Sequence, residues 1–375
     1  MKRIHNVAMR HFLPALLVAV SCSGLAAAEK PAPVKPKDAE KTWTFVSMPD
    51  FLNVDTTCPQ PGWEEALTYV LKAVKAENPD FVLVAGDLVN GHWPSEEKIK
   101  KCAAIYYPAW INRMNAHGLQ FYAALGDHEL GDNPWPPEKA ALVPSFRKAF
   151  REYMKMPLNG PEHMKGTAFY FLHKNTLFVS VDVFEEGKGG QGEINVQVTG
   201  KQLAWLEETL SGHPSVDHIV VMGHAPVLGP VRKLVSSGLM VEGAHRSPFW
   251  QSMARHSVDL YMCGEVHAIT ATESDGILQL AHGSAYGYAP TAHYLIVTVS
   301  PKTIELEIKE IDIVGAGPPL WQEGRDCPRG TVSIPEDVKK RGFVSVGRMT
   351  IDKTRGKKTT TGNIWRFQTI PPRAE

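Results

Sequence analysis

The chain has no surplus of charge: across its 375 residues 40 Lys and Arg balance 40 Asp and Glu. That balance removes the long-range field with which nucleic-acid-binding proteins and peripheral membrane proteins gather their partners. No nucleic-acid partner is expected, and a small, locally charged substrate suits such a surface better. Cysteine is scarce, with 5 residues in the whole chain, and the spacings of Cys58, Cys102, Cys263 and Cys327 match no zinc ribbon. Cys263 ends an apolar run and reads as a small core residue, whereas Cys58 and Cys102 lie in polar segments and could pair. No internal repeat is visible. Long apolar runs are missing after the first residues, so no transmembrane helix is expected in the mature chain.

What stands at the start is "MKRIHNVAMRHFLPALLVAVSCSGLAAA". Basic residues, a short apolar segment and an Ala26-Ala27-Ala28 ending read as a secretory signal peptide over 1–28, which implies a secreted or periplasmic protein. Lipid attachment at Cys22 is the alternative, opposed by Ala19 where a larger aliphatic residue is usual. Residues 29–41, "EKPAPVKPKDAEK", lack apolar periodicity and form a Pro- and Lys-rich linker.

From Trp43 onward, β-rich runs alternate with helical patterns. "TFVSM", "FVLVAG", "QFYAAL", "TLFVSVDV", "HIVVMG" and "VDLYMCG" read as strands. Trp63, Ala66, Leu67, Val70, Leu71 and Val74 make one apolar stripe of a helix over 62–76. "HYLIVTVS" and "TIELEIKEI", separated by "PK", read as an antiparallel hairpin, so the sheets are mixed. The sheet domain is expected over 42–312 and a C-terminal extension over 313–375, with its "KTRGKK" run a solvated surface segment.

Several strands end alike. Apolar runs stop at a glycine and give way to acids and histidines in "VLVAGD" (Asp87), "AALGDHE" (Asp127, His128, Glu129), "VVMGH" (His224) and "YMCGEVH" (Glu265, His267), while "FVSMPD" ends at Asp50 without the glycine. Strand ends of an α/β sheet gather at one edge, where ligands bind. Carboxylates mixed with imidazoles there suit two divalent cations about 4 Å apart that activate water for in-line attack on phosphorus. The glycines are expected to let the backbone turn sharply behind each donor.

This ordered set resembles the calcineurin-like metallophosphoesterase superfamily, with its D-x-H, GD, GNH[ED], GH and GHxH pattern, over about residues 44–285. The resemblance implies a four-layer α-β-β-α sandwich with two mixed sheets and hydrolysis of phosphate esters at a dinuclear centre. It implies Asp50, Asp87 and His267 as ligands of one metal ion and Asp87, Asp127, His224 and Glu265 as ligands of the other, with Asp87 bridging. His128 matches the family's non-ligand histidine, the proton donor or transition-state stabiliser. Three positions depart from the pattern. Leu52 stands at the histidine of D-x-H, so that Asn53, Asp55 or water would complete the first ion's shell; Asp127 replaces asparagine; and Glu265 replaces the first histidine of GHxH. Asp50, Asp87, Asp127 and Glu265 together would nearly neutralise two dications, which favours Mn²⁺, Mg²⁺, Ca²⁺ or iron over Zn²⁺. The departures also motivate rival readings: a catalytically weak or inactive relative that binds a single metal or a phosphorylated ligand, or a cell-surface interaction protein acting through its extension.

Other candidates are weaker. Glu129 and Asp182 could orient ligands from behind, with a strand-terminal turn an equal reading for Asp182. His282 could touch substrate or orient a ligand, His92 reads as an ordinary hydrogen-bonded histidine, and Tyr286 and Tyr288 could line the pocket mouth or merely pack a loop. The loop "GDNPWPPEKAALVP" is placed to shape substrate choice.

Overall fold

A computed structural model describes residues 42–50, 61–186, 193–229, 238–283, 291–316, 331–355 and 357–366. The expectations for the signal peptide and linker, Leu52, Asn53, Asp55, Cys58, Tyr286, Tyr288 and Cys327 lie outside them. The chain opens with β1 (Trp43–Ser47), α1 (Trp63–Ala76), β2 (Val82–Val84), α2 (Glu96–Ala116) and β3 (Phe121–Ala123). Helical crossovers leave these three strands parallel. Next come α3 (Pro137–Ala140), α4 (Val143–Met154), the hairpin β4 (Phe169–His173) and β5 (Thr176–Ser180), and a small hairpin of β6 (Phe184–Glu186) and β7 (Ile194–Val196). α5 (Gly200–Ser211), β8 (His218–Met222), α6 (Pro248–Arg255), β9 (Leu260–Cys263), β10 (Ile269–Ser274) and β11 (Ile277–Ala281) follow, with β5, β8, β9 and β11 parallel. The chain then forms the hairpin of β12 (Thr291–Val299) and β13 (Thr303–Asp312), the pair β14 (Val314–Ala316) and β15 (Thr331–Ser333), α7 (Glu336–Arg341), β16 (Val344–Asp352), β17 (Thr359–Asn363) and β18 (Trp365–Arg366).

These strands make two mixed sheets of seven, ordered β17-β16-β13-β12-β1-β2-β3 and β18-β10-β11-β9-β8-β5-β4. Alternation along each strand decides which layer a side chain joins. Phe45, Leu83, Phe178, Val220, Met222, Leu260, Leu280, Leu295 and Val297 fill the space between the sheets. Phe45 and Phe178 cross that space, their rings meeting edge to face at 5.3 Å. Their neighbours Val46, Val82, Val84, Val179, Val221 and Tyr261 point outward into a core shared with the helices. The α1 stripe lands there as its spacing requires, with Trp63, Leu67, Val70, Leu71 and Val74 buried, each contributing roughly 1.5–3 kcal/mol over exposure. Cys263 is buried in the same core. The result is the α-β-β-α sandwich that the family resemblance implied. No helix among the described residues is long and apolar enough to cross a membrane.

The sheets do not stop where periodicity fades. β16 and β17 extend the first sheet beyond β13, and β18 pairs with β10 at the edge of the second. Part of the expected extension is thus woven into the sandwich. Few of its residues are fully buried, so its strands carry little hydrophobic alternation. The "KTRGKK" run is likewise more than solvated surface: Lys353 Nζ lies 2.6 Å and Lys358 Nζ 3.4 Å from the buried Asp259 carboxylate. Burial works against that charge, but His218, Lys353 and Lys358 outweigh it and hold Asp259 below the usual carboxylate range.

Candidate metal centre

The two parallel strand sets end against each other. Asp50, Asp87, Asp127 and His128 follow β1, β2 and β3 of one sheet, and His224, Glu265 and His267 follow β8 and β9 of the other. Oxygen and nitrogen donors of Asp50, Asp87 and His267 lie within 4.8 Å of one another, as do those of Asp87, Asp127 and His224. Asp87 belongs to both groups. His224 Nε2 is 3.0 Å from Asp127 Oδ1, 3.5 Å from Asp87 Oδ1 and 3.5 Å from Glu265 Oε2. Glu265 therefore faces the second group but is not one of its three mutually close donors. Its other oxygen, Oε1, accepts from the backbone N–H groups of Gly238 and Leu239 at 2.8 and 3.1 Å.

Local backbone geometry is bent to this purpose. Asp50, Asp87, Glu265 and His267 all adopt left-handed φ, from 51° to 66°, a region that costs a non-glycine residue of order 1 kcal/mol or more. The motif glycines act mainly by clearance and less by turning. Only Gly86 of the four has positive φ, at 98°. A Cβ on Gly126 would come 2.2 Å from Asp87 Oδ1, one on Gly264 2.7 Å from Asp50 Oδ1, and one on Gly283 1.4 Å from Asp50 Oδ2. Missing side chains let the carboxylates lie directly on the backbone.

The supporting contacts separate donors from props. Glu129 is spent on backbone: Oε2 accepts from Gly126 and Asp87 N–H, and Oε1 from Leu88 and Val89 N–H, at 2.7–3.1 Å. It ties the loop after β2 to the loop after β3. Asn133, which sequence reasoning passed over, donates to Asp127 Oδ2 at 2.8 Å and leaves Oδ1 to the cluster. His224 Nδ1 sits 2.7 Å from the Ala85 carbonyl, and His128 Nδ1 2.9 Å from the Asn90 carbonyl. A carbonyl accepts only from N–H, so in each neutral ring the lone pair is on Nε2, the arrangement usual for a metal-binding imidazole. His282 is buried away from the donors, with Nε2 2.8 Å from Ser47 Oγ, while its neighbour Gly283 lies against Asp50. Asp182 is engaged elsewhere, paired with Arg147 Nε at 3.0 Å and accepting from Phe184 N–H at 3.1 Å. His92, read from the sequence as an ordinary hydrogen-bonded histidine, has its Nε2 3.3 Å from Asp132 Oδ2.

Do these residues suit cations? Asp50 Oδ2, Asp127 Oδ1 and His224 Nε2 are buried without a hydrogen bond of good geometry, although the last two are only 3.0 Å apart. Burial pushes Asp50 up to about 7 and Asp87 well above its ordinary value, against the pull of His224. Burial also opposes the charge on Asp127, but His224, His128 and Asn133 prevail and hold it below the usual range. Burial opposes protonation of His224, yet Asp87, Asp127 and Glu265 raise it well above 6.5. Packed carboxylates with unused lone pairs form a set that divalent cations satisfy and that protons otherwise occupy. Metal affinity is therefore expected to climb with pH as Asp50, near 7, and the still more strongly raised Asp87 and His224 give up their protons; titration calorimetry at about pH 6 and about pH 8 reads the rise. Equal affinities would mean that the cation displaces no proton, and would remove these buried donors from the binding set.

The profile of the calcineurin-like phosphoesterases matches residues 55–268. The chain belongs to the calcineurin-like phosphoesterase family. Asp50 falls just before the matched span, and the fold brings it in. Among solved structures the chain is similar to PhoD, at 12% identity and TM-score 0.58 over 88% of this chain and 73% of that one. It is also similar to a purple acid phosphatase from yellow lupin seeds, at 13% identity and TM-score 0.52, covering 80% of this chain and 55% of that one. A dimetal phosphatase from Danio rerio aligns at 13% identity and TM-score 0.49, over 70% of this chain and 95% of that one. No curated protein sequence matches. At such identities the calcineurin-like sandwich is what the likeness establishes.

Proposed function

We propose that the chain hydrolyses phosphate esters at a dinuclear metal centre. The observation that carries this reading is the pair of donor groups sharing Asp87 at the meeting edge of two parallel strand sets. Asp50, Asp87 and His267 would hold one cation, and Asp87, Asp127 and His224, joined by Glu265, the other. When bound, the cations lower the pKa of water and neutralise charge on the phosphoryl oxygens. The chain's own residues do the rest. Glu129 fixes the loop that presents Asp87, and Asn133 fixes the rotation of Asp127. Burial opposes a charge on His128, but Asp132 and Asp127 outweigh it and raise its pKa, which favours a proton on Nε2, 4.0 Å from Asp87 Oδ2. That proton is placed for the leaving oxygen of the ester. The oxygen-rich donors favour Mn²⁺, Mg²⁺ or iron over Zn²⁺.

Metal-stripped protein resupplied with single metals and offered aryl phosphate monoesters and diesters tests the proposal. Turnover restored by Mn²⁺ or Mg²⁺ supports it, and two bound ions without turnover on any ester would leave the non-catalytic reading. Glu265→Gln sharpens the assignment. Its amide oxygen can keep the two backbone donors, which turns the NH2 towards the cations. Metal binding at the second position is expected to weaken by roughly 10–100-fold without unfolding, and Glu265→His should shift preference towards Zn²⁺. Unchanged metal titrations of both variants would place Glu265 outside the coordination shell.

A further inference from the structure

Next to the centre a second kind of donor group is assembled. One atom each from His92, His128 and Asp132 lies within 4.8 Å of the other two. His92 comes from the stretch after β2 and Asp132 from the loop that follows the GDHE motif, with its N–H donated to the Asp127 carbonyl at 2.8 Å. The Asp132 carboxylate stands between the imidazoles, Oδ2 3.3 Å from His92 Nε2 and Oδ1 4.0 Å from His128 Nε2. The rings of His92 and His128 meet edge to face at 5.7 Å. Side-chain exposures of 13% for His128, 18% for Asp132 and 30% for His92 leave the group open to solvent on one side.

We propose that His92, Asp132 and His128 form a third cation site, selective for Zn²⁺ and separate from the two positions that share Asp87. Two imidazoles and one carboxylate are a nitrogen-rich set, unlike the oxygen-rich donors around Asp87, and imidazole suits Zn²⁺ better than Mg²⁺. Three protein ligands with an open fourth position is a recurrent zinc arrangement, and tetrahedral bonds of roughly 2.0–2.1 Å put ligand atoms ~3.3 Å apart. The His92–Asp132 pair stands at that separation, 3.3 Å. The ring of His128 is prepared for the role, its Nδ1 committed to the Asn90 carbonyl and its Nε2 turned to the group.

Zinc here takes the same Nε2 atom that holds the proton for the leaving oxygen. Resting on the phosphoesterase reading, occupancy of this site switches the reaction off while leaving both metals of the Asp87 centre in place. The enzyme would run on hard cations and be stopped by a softer one.

Zinc counting and zinc inhibition test the two halves separately. The full chain dialysed against micromolar Zn²⁺ is expected to carry one ion more than His92→Ala or Asp132→Asn treated alike. The zinc concentration that halves Mn²⁺-supported turnover, each protein being compared with its own zinc-free rate, is expected to rise at least ~10-fold in His92→Ala. Equal zinc counts in all three proteins overturn the site, and equal inhibition overturns its control of His128. A zinc difference in a protein that hydrolyses no phosphate ester upholds the site and instead refutes the proposed function.

Discussion

Asp87→Asn is expected to hold fewer than two tightly bound ions and to turn over phosphate esters on the order of 10³-fold more slowly or worse, the scale of several kcal/mol of lost charge stabilisation. Asp87 is the residue common to both donor groups, so its charge serves two cations at once. Its Oδ1 already accepts the His128 N–H at 3.2 Å and lies against Gly126, where a Cβ would come within 2.2 Å. An asparagine keeping that hydrogen bond must aim its NH2 where Oδ2 was, on the side of His128 Nε2. One of the two carboxylate oxygens then becomes a donor, and the negative charge shared by the two donor groups is lost. Metal analysis beside steady-state kinetics checks both halves, and a variant that keeps two ions and full turnover would sink the shared-carboxylate arrangement.

His128→Ala is expected to lower turnover by roughly 10²–10⁴-fold, the usual contribution of a positioned proton donor, while the Mn²⁺ content of the Asp87 centre stays the same. The parent rate should also fall as pH rises through the His128 pKa, which Asp132 and Asp127 hold above the ordinary histidine value against the effect of burial; that alkaline limb should vanish in the variant. The sign follows from the role, since only the protonated ring has something to give to the leaving oxygen. Loss of Mn²⁺ in the variant would make His128 a ligand of the main centre.

Much of this was readable from the chain because strand ends are linear features. An apolar run, a glycine and a polar group stand next to one another in sequence, and the parallel strands bring every such ending to one edge. The residues that hold the donors in place are of another kind. Glu129 was visible as part of "GDHE", but nothing in the string shows a carboxylate spread over four backbone N–H groups of two loops. Asn133 and Asp132 act through the path of the loop after β3, and His92 through its approach to that loop, so their meeting depends on tertiary geometry alone. The glycines were seen, but their reason was not: room for Asp50 and Asp87, more than a sharp turn. Asp182 looked like a candidate helper at a strand end and instead pairs with Arg147. β17 escaped notice because a threonine-rich edge strand pairs through backbone without a buried face, and β16 because Ile351 is its one fully buried residue.

The last of those strands also sets an order in time. β17 and β18, separated by the buried Ile364 alone, close the edges of different sheets. Every metal donor of the Asp87 centre precedes Ala268, yet neither sheet reaches its final width until residues 359–366 join it. A nascent chain complete to Asp312 thus owns all the chemistry while still presenting β13 and β10 as open hydrogen-bonding edges, the surfaces on which chains pair with one another. Its interval of greatest danger falls after the site is encoded and before the sandwich is sealed.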